Sequence, residues 1–351
     1  MKKLILPLVA FVAAASLALT GCMPVSGLFG LGSPSGVPAV ERAASSGQGV
    51  SLSTGALYDD GCVNGDLLYY TDTYYDSVND SYGSGLYSLP LSGSGSRTLV
   101  IPAMGSYGTD YYIAPSSVTG GEAEIHLVNV SYPTAMQRSI SIQRYSLAGV
   151  LLGTTSLEAD TIALMDTVFK IRPGTDGYYI MPSATYQNRL IKLNAQFQLV
   201  WSVSLEDESL GYLLSVYYLT SMATAPNGDL FLSFTDRNGY TYETLADIAG
   251  GGVYDIDAAT GAVKAVHAGK YAFSEPMYIA FDSQGTLFAY NYDRKSVQGY
   301  SSDFLPAFYA ASSAWDLLGE TAVIAILPSE TSFKVVVSES YGVKVYTFTR
   351  P

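Results

Sequence analysis

The chain has 351 residues, 48% hydrophobic and only 14% charged, with 34 Gly and 29 Tyr. That length allows two ordinary domains or one large β architecture, and the apolar-to-charged balance excludes both a disordered chain and a multi-span membrane protein. With 18 basic against 31 acidic residues the formal net charge is -13, and no Lys/Arg-rich stripe interrupts it, which excludes nucleic acid as a partner.

In chain order, Lys2 and Lys3 precede an apolar run from Leu4 to Leu19, too short for a helix that crosses a bilayer but flanked as a secretory signal is. The run ends in Leu19-Thr20-Gly21-Cys22, which resembles the lipobox of bacterial lipoproteins. The resemblance implies that residues 1–21 are removed and that Cys22 becomes the lipid-modified first residue, anchoring the protein to a membrane. In many such lipoproteins an Asp after the cysteine retains the protein at the inner membrane, so Met23 points by the same resemblance to the outer membrane of a bacterial envelope, with periplasmic and surface-facing placements both open. Loss of the two lysines takes the net charge to about -15.

Residues 22–48 are rich in Gly, Ser, Pro and Ala and read as a flexible tether, leaving 49–351 as the folded domain. Cys62 is the only other cysteine, so no disulfide holds the fold, and Asp59, Asp60 and Asp66 around it would raise a thiol pKa instead of activating it. Burial is its expected fate.

Beyond the tether, short alternating apolar stretches are broken by Gly, Asn, Asp and Ser, the pattern of an all-β fold. Val63-Asn64-Gly65-Asp66-Leu67-Leu68-Tyr69-Tyr70 is echoed by Pro226-Asn227-Gly228-Asp229-Leu230-Phe231-Leu232-Ser233 and by Ser283-Gln284-Gly285-Thr286-Leu287-Phe288-Ala289-Tyr290, each a tight turn entering a strand. Weaker copies place Ile125, Tyr178 and Phe333 in the same role as Leu67, Leu230 and Leu287. The six points recur at intervals of about 46–58 residues, near the 40–50 of a four-stranded propeller blade with its loops. A second hairpin follows in each unit, clearest at Gly252-Val253-Tyr254-Asp255-Ile256-Asp257-Ala258-Ala259-Thr260-Gly261-Ala262-Val263.

These paired hairpins resemble NHL-type and gluconolactonase-like six-bladed β-propellers over about residues 50–351. The expected fold is therefore a β-propeller of six four-stranded blades; a seven-bladed count is the alternative, if the tether hides another unit. The sixth unit stops at Tyr346-Thr347-Phe348-Thr349-Arg350-Pro351, the end of its third strand, so its missing outer strand is expected from residues 37–53 at the other end of the chain.

Only His126 and His267 are available for a Ser-His-Asp triad or a His-ligated metal. Both sit in strand patterns without a Gly-x-Ser-x-Gly turn or metal-ligand spacing, so they read as strand-face histidines. Asp59, Asp60, Asp66, Asp72, Asp76 and Asp80 crowd the first unit without matching a calcium loop. Resemblance to gluconolactonase-like propellers keeps a calcium-dependent, lactonase-like hydrolase at the channel mouth as the alternative function; otherwise no cofactor is expected.

Tyr doublets at Tyr69-Tyr70, Tyr74-Tyr75, Tyr111-Tyr112, Tyr178-Tyr179 and Tyr217-Tyr218 are expected to place one ring of each pair between blades and the other elsewhere, since strand neighbours face opposite ways. Residues 71–85, 129–138 and 235–252 read as long loops between second and third strands that line one rim of the channel, with a short helix over 241–248. Their Tyr74, Tyr75, Asp76, Tyr132, Asp236, Arg237, Tyr240 and Tyr242 form the candidate ligand surface, suited to an envelope protein, peptide or saccharide. The leading expectation is thus a lipid-anchored, non-enzymatic binding or scaffolding module.

Overall fold

A computed structural model describes residues 37–40, 48–51, 61–76, 81–92, 96–104, 110–134, 137–165, 169–182, 189–205, 217–236, 251–268, 273, 276–292, 295–310, 322–339 and 342–351. The alternating segments form six four-stranded antiparallel sheets. Blade 1 comprises β2 (Gly61–Asn64), β3 (Leu67–Asp76), β4 (Ser81–Pro90) and β5 (Thr98–Met104). Blade 2 comprises β6 (Asp110–Ala114), β7 (Glu124–Thr134), β8 (Gln137–Ser146) and β9 (Leu151–Ser156). Blade 3 holds β10 (Phe169–Pro173), β11 (Gly177–Pro182), β12 (Arg189–Asn194) and β13 (Leu199–Ser204), and blade 4 holds β14 (Tyr217–Thr224), β15 (Leu230–Asp236), β16 (Gly252–Ile256) and β17 (Val263–Ala268). Blade 5 is built from β18 (Pro276–Phe281), β19 (Leu287–Asn291), β20 (Ser296–Tyr300) and β21 (Pro306–Ala310).

Blade 6 has β22 (Ala322–Pro328), β23 (Ser332–Glu339) and β24 (Gly342–Thr349) from the end of the chain, and its outer strand is β1 (Gln48–Ser51). Gln48, Gly49, Val50 and Ser51 oppose Val345, Lys344, Val343 and Gly342. The ring is closed as the sequence requires: the open edge of β24 is an unpaired row of backbone groups, and only the N-terminal segment was left to cover it. All six equivalent points read from the sequence fall on the first or second residue of a blade's second strand, so the count is six.

Residues 38–40 lie inside the span read as tether, yet they are held against blade 5. Val40 N donates to Tyr309 O at 2.9 Å and Tyr309 N to Pro38 O at 3.1 Å, making a parallel bridge to β21.

Six apolar clusters fill the six interfaces between blades, one per interface. The tyrosine doublets explain how. Tyr69 packs toward blade 2 and Tyr70 toward blade 6; Tyr111 toward blade 1 and Tyr112 toward blade 3; Tyr178 toward blade 2 and Tyr179 toward blade 4. For these three doublets the expectation of one ring between blades and one elsewhere is corrected: both faces of an inner strand meet a neighbouring blade, so both rings are interface fillers.

In an antiparallel meander the turns between first and second and between third and fourth strands lie at one end of the ring. The second-to-third turns and the crossovers between blades lie at the other.

Candidate functional site

The six first strands surround a central cavity of about 260 Å³. Its polar wall comes from neighbouring blades: Cys62 on β2, Asp110 on β6, Lys170 and Arg172 on β10, Thr220 and Ser221 on β14, and Tyr278 on β18. Arg172 Nη1 donates to Asp110 Oδ2 at 2.8 Å and to its neighbour's carbonyl, Ile171 O, at 2.7 Å. Asp110 Oδ2 also accepts from Ile171 N at 3.2 Å, so one carboxylate ties β6 to β10. Burial works against the Arg172 charge, but Asp110 more than offsets it and the guanidinium pKa stands above its ordinary value. Lys170 has no acidic partner among the described residues.

The other titratable groups on this wall are held protonated. Cys62 is half-buried and lines the cavity. Burial pushes its thiol up to about 12; Arg172 works against this, Asp110 adds to it, and the Ile113 N–H lowers it slightly. Burial likewise takes Tyr278 to about 12, opposed by Arg172 and by the Ile326 N–H. Tyr112 is raised well above the usual tyrosine value, again chiefly by burial. Thr220 donates to Pro276 O at 2.6 Å, and Ser221 Oγ accepts from Ile279 N at 3.3 Å, so both hydroxyls stitch β14 to β18.

A second polar group lies within blade 2. Glu124 accepts a bidentate pair from Arg144, Nε to Oε2 and Nη2 to Oε1, both at 2.7 Å, and sits 3.0 Å from His126 Nε2. His126 Nδ1 is 3.3 Å from the Tyr112 hydroxyl, and the ring is fully buried against Tyr178 and Phe197. Burial lowers its pKa while Glu124 opposes that; the Arg144 bonds hold Glu124 below its ordinary value. His267 stacks on Phe304 with ring centres 3.7 Å apart. Both histidines are strand residues packed into interfaces, as their sequence context implied. Among the described residues, no three His, Cys, Asp or Glu side chains lie close enough to share a metal ion.

The residues singled out from the sequence are only partly brought together. Tyr74, Tyr75 and Asp76 close the far arm of β3, opposite Gly83, Tyr82 and Ser81. Tyr132 is on the corresponding arm of β7, in the next blade, with 61% of its surface exposed. Asp236 ends β15 on blade 4, opposite Tyr217, with blade 3 between it and Tyr132. Arg237, Tyr240, Tyr242, the helix expected over 241–248 and Cys22 lie outside the described residues. Two of the expected long loops are corrected: residues 71–76 and 81–85, and 129–134 and 137–138, are strand. Their Tyr, Thr and Val residues suit a paired ladder, so these hairpins run on as arms of 10 and 11 residues instead of opening.

Sequence reasoning passed over Asp110, Lys170 and Arg172. A detectable signal existed: Lys170-Ile171-Arg172 places two of the chain's 18 basic residues on a five-residue first strand, where an inner strand is otherwise apolar.

No protein-family model and no curated protein sequence matches this chain. Solved structures of similar shape include a protein of unknown function from Bacteroides caccae, 12% identical, covering 78% of this chain and 92% of its own with a TM-score of 0.47. An inactive virginiamycin B lyase from Staphylococcus aureus with quinupristin is 10% identical, covering 87% and 99% with a TM-score of 0.47. A calcium-binding regucalcin from Agrobacterium tumefaciens is 12% identical, covering 90% and 97% with a TM-score of 0.46.

Proposed function

We propose that this chain is a lipid-anchored propeller of the bacterial envelope, attached through Cys22 at the outer membrane, and that it works as a non-enzymatic binding module. Its partner is an envelope protein, peptide or saccharide met at the second-to-third-strand end, beside the long arms of blades 1 and 2. The observation that supports binding over catalysis is the state of the axial wall. A general base or nucleophile at neutral pH needs a pKa near 7 or an activating partner. Here the thiol and phenol are pushed up to about 12, and the one carboxylate among the described wall residues, Asp110, is committed to Arg172. Calcium asks for six to eight oxygen ligands with several carboxylates among them, and this wall offers a guanidinium and an ammonium beside a single Asp.

The test is the melting temperature of the chain from Met23 onward, with chelator and again with about 1 mM calcium. A cation held only by the native state stabilises by RT ln(1 + [L]/Kd). Coincident curves are expected. A rise of several degrees would displace the binding module in favour of a calcium-dependent, lactonase-like hydrolase.

A further inference from the structure

Eleven large hydrophobic side chains among the described residues stand exposed, and eight of them occupy one place in the repeat. Each is in the first two residues of an outer strand or directly ahead of it. Leu99 begins β5; Val150, Leu151 and Leu152 lead into β9; Leu199 and Val200 begin β13; Val263 begins β17; Leu305 precedes β21. All therefore lie at the same end of the ring, at the turns between third and fourth strands. Neighbours on a strand face opposite ways, so exposure of both Leu151 and Leu152 leaves each side of that strand start uncovered.

Three of these turns lean on the outer strand of the blade before them, which brings neighbouring positions together along the ring as a rim. Gly149 sits so close to β5 that a Cβ would come within 1.9 Å of Val100 O, which sets Val150 beside Leu99. Gly261 sits against Trp201 and Val203 of β13, and the Phe304 ring covers His267 of β17. Of these turns, residues 147–150 and 195–198 contain no charged residue, while 257–262 holds Asp257 and 301–305 holds Asp303.

The path of the N-terminal segment bears on what meets this rim. Residues 38–40 run parallel to β21, so Val37 lies toward the end of that strand where Leu305 stands. The chain leading from Cys22 thus reaches the folded domain at the rim.

We propose that this rim seats the propeller on a neutral lipid surface, its leucines and valines entering the boundary between headgroups and acyl chains. That a membrane is held nearby rests on the anchor reading above; the rim itself does not. Its chemistry suits lipid better than protein. Protein hot spots are built from Trp, Tyr and Arg in pockets, with Leu and Val under-represented. A fluid acyl layer accepts aliphatic side chains without a matching surface. The acids that share this end of the ring, Asp229, Asp257, Asp282 and Asp303 among them, would be repelled by an anionic surface, which favours a neutral one. The long arms of blades 1 and 2 then point away from the membrane, toward a partner.

The experiment is co-sedimentation of the unacylated chain from Met23 onward, which holds all six blades, with phosphatidylcholine–phosphatidylethanolamine vesicles. It is run beside the double variant Leu151→Ser, Leu152→Ser, with the melting temperature as a folding control. Binding weakened by about tenfold in the variant, with melting unchanged, is expected. Equal binding of the two proteins, or none by the parent, overturns the proposal. So does a parent that dimerises in sedimentation velocity and a variant that does not, since the rim would then be an interface between copies. Palmitate labelling of the full chain, against Cys22→Ser, reads the anchor separately. Rim-dependent binding without label would remove the anchor and keep the rim; label with rim-independent binding would do the reverse.

Discussion

Val50 lies opposite Val343, pairing a strand near the start of the folded domain with one near the end of the chain. Blade 6 is complete only through that register, and the ring is complete only through blade 6.

Deleting residues 345–351 removes the latter part of β24 and with it partners of both β1 and β23. The ring then opens at an apolar interface containing Val335, Val337, Tyr346 and Phe348. Loss of a cooperative thermal transition is expected by calorimetry. A truncated protein that melts as sharply as the parent would refute the closure as a source of stability.

Glu124→Ala leaves fully buried His126 without its acceptor and Arg144 without its carboxylate. A cost of about 2–3 kcal/mol is expected in urea unfolding. An effect below about 0.5 kcal/mol would mean that water or Tyr112 replaces the carboxylate.

Stability should fall as the pH drops below 7. His126 and His267 have folded pKa values below 6.5, so the unfolded chain binds the proton first and each loses stability as pH falls from about 6.5 toward its folded value. Glu124 has a folded pKa below 4.5, so its contribution is present above that value and is lost as the pH falls through the folded one. Melting temperatures between pH 8 and 4 check the slope. A curve for His126→Gln parallel to the parent's would remove His126 from the account.

Gly149 and Gly228 have similar positive φ angles, 82° and 91°, but different surroundings. A Cβ at Gly228 meets open space, so Gly228→Ala should cost only backbone strain, about 1 kcal/mol. At Gly149 it strikes the Val100 carbonyl of the preceding blade, so Gly149→Ala should cost about 3 kcal/mol. Equal losses for the two would mean that the blade contact yields freely.

In the chain from Met23 onward Cys62 is the only thiol. Burial pushes it up to about 12, which makes thiolate much scarcer at pH 8 than in a free cysteine. Alkylation by iodoacetamide should be slower than that of the unfolded chain by on the order of a hundredfold or more, and Asp110→Asn, which removes a charge that raises the thiol, should speed it. Rapid labelling of the folded protein would contradict the buried geometry.

The repeat, the six blades and the closing strand were legible in the sequence because they depend on local chemistry. Asn-Gly and Asp-Gly turns, alternating faces and a unit one strand short are properties of neighbours along the chain. The strand setting of both histidines was readable for the same reason. The candidate surface was less legible: residues 71–76 and 129–134 were read as loop, although they pair as strands, because the Asp, Asn, Ser and Gly in and beside them read as turn residues.

The axial wall was decided by tertiary structure alone. Cys62, Asp110, Arg172 and Tyr278 are separated by long stretches of chain and meet only where first strands from four blades converge. The same holds for the apolar rim, whose leucines and valines look like ordinary strand starts until the ring sets them side by side. The sequence by itself determined which segments become strands and how many blades they make. Which polar groups face one another across the axis, and which apolar ones stay uncovered, followed from closing six repeats around a common centre.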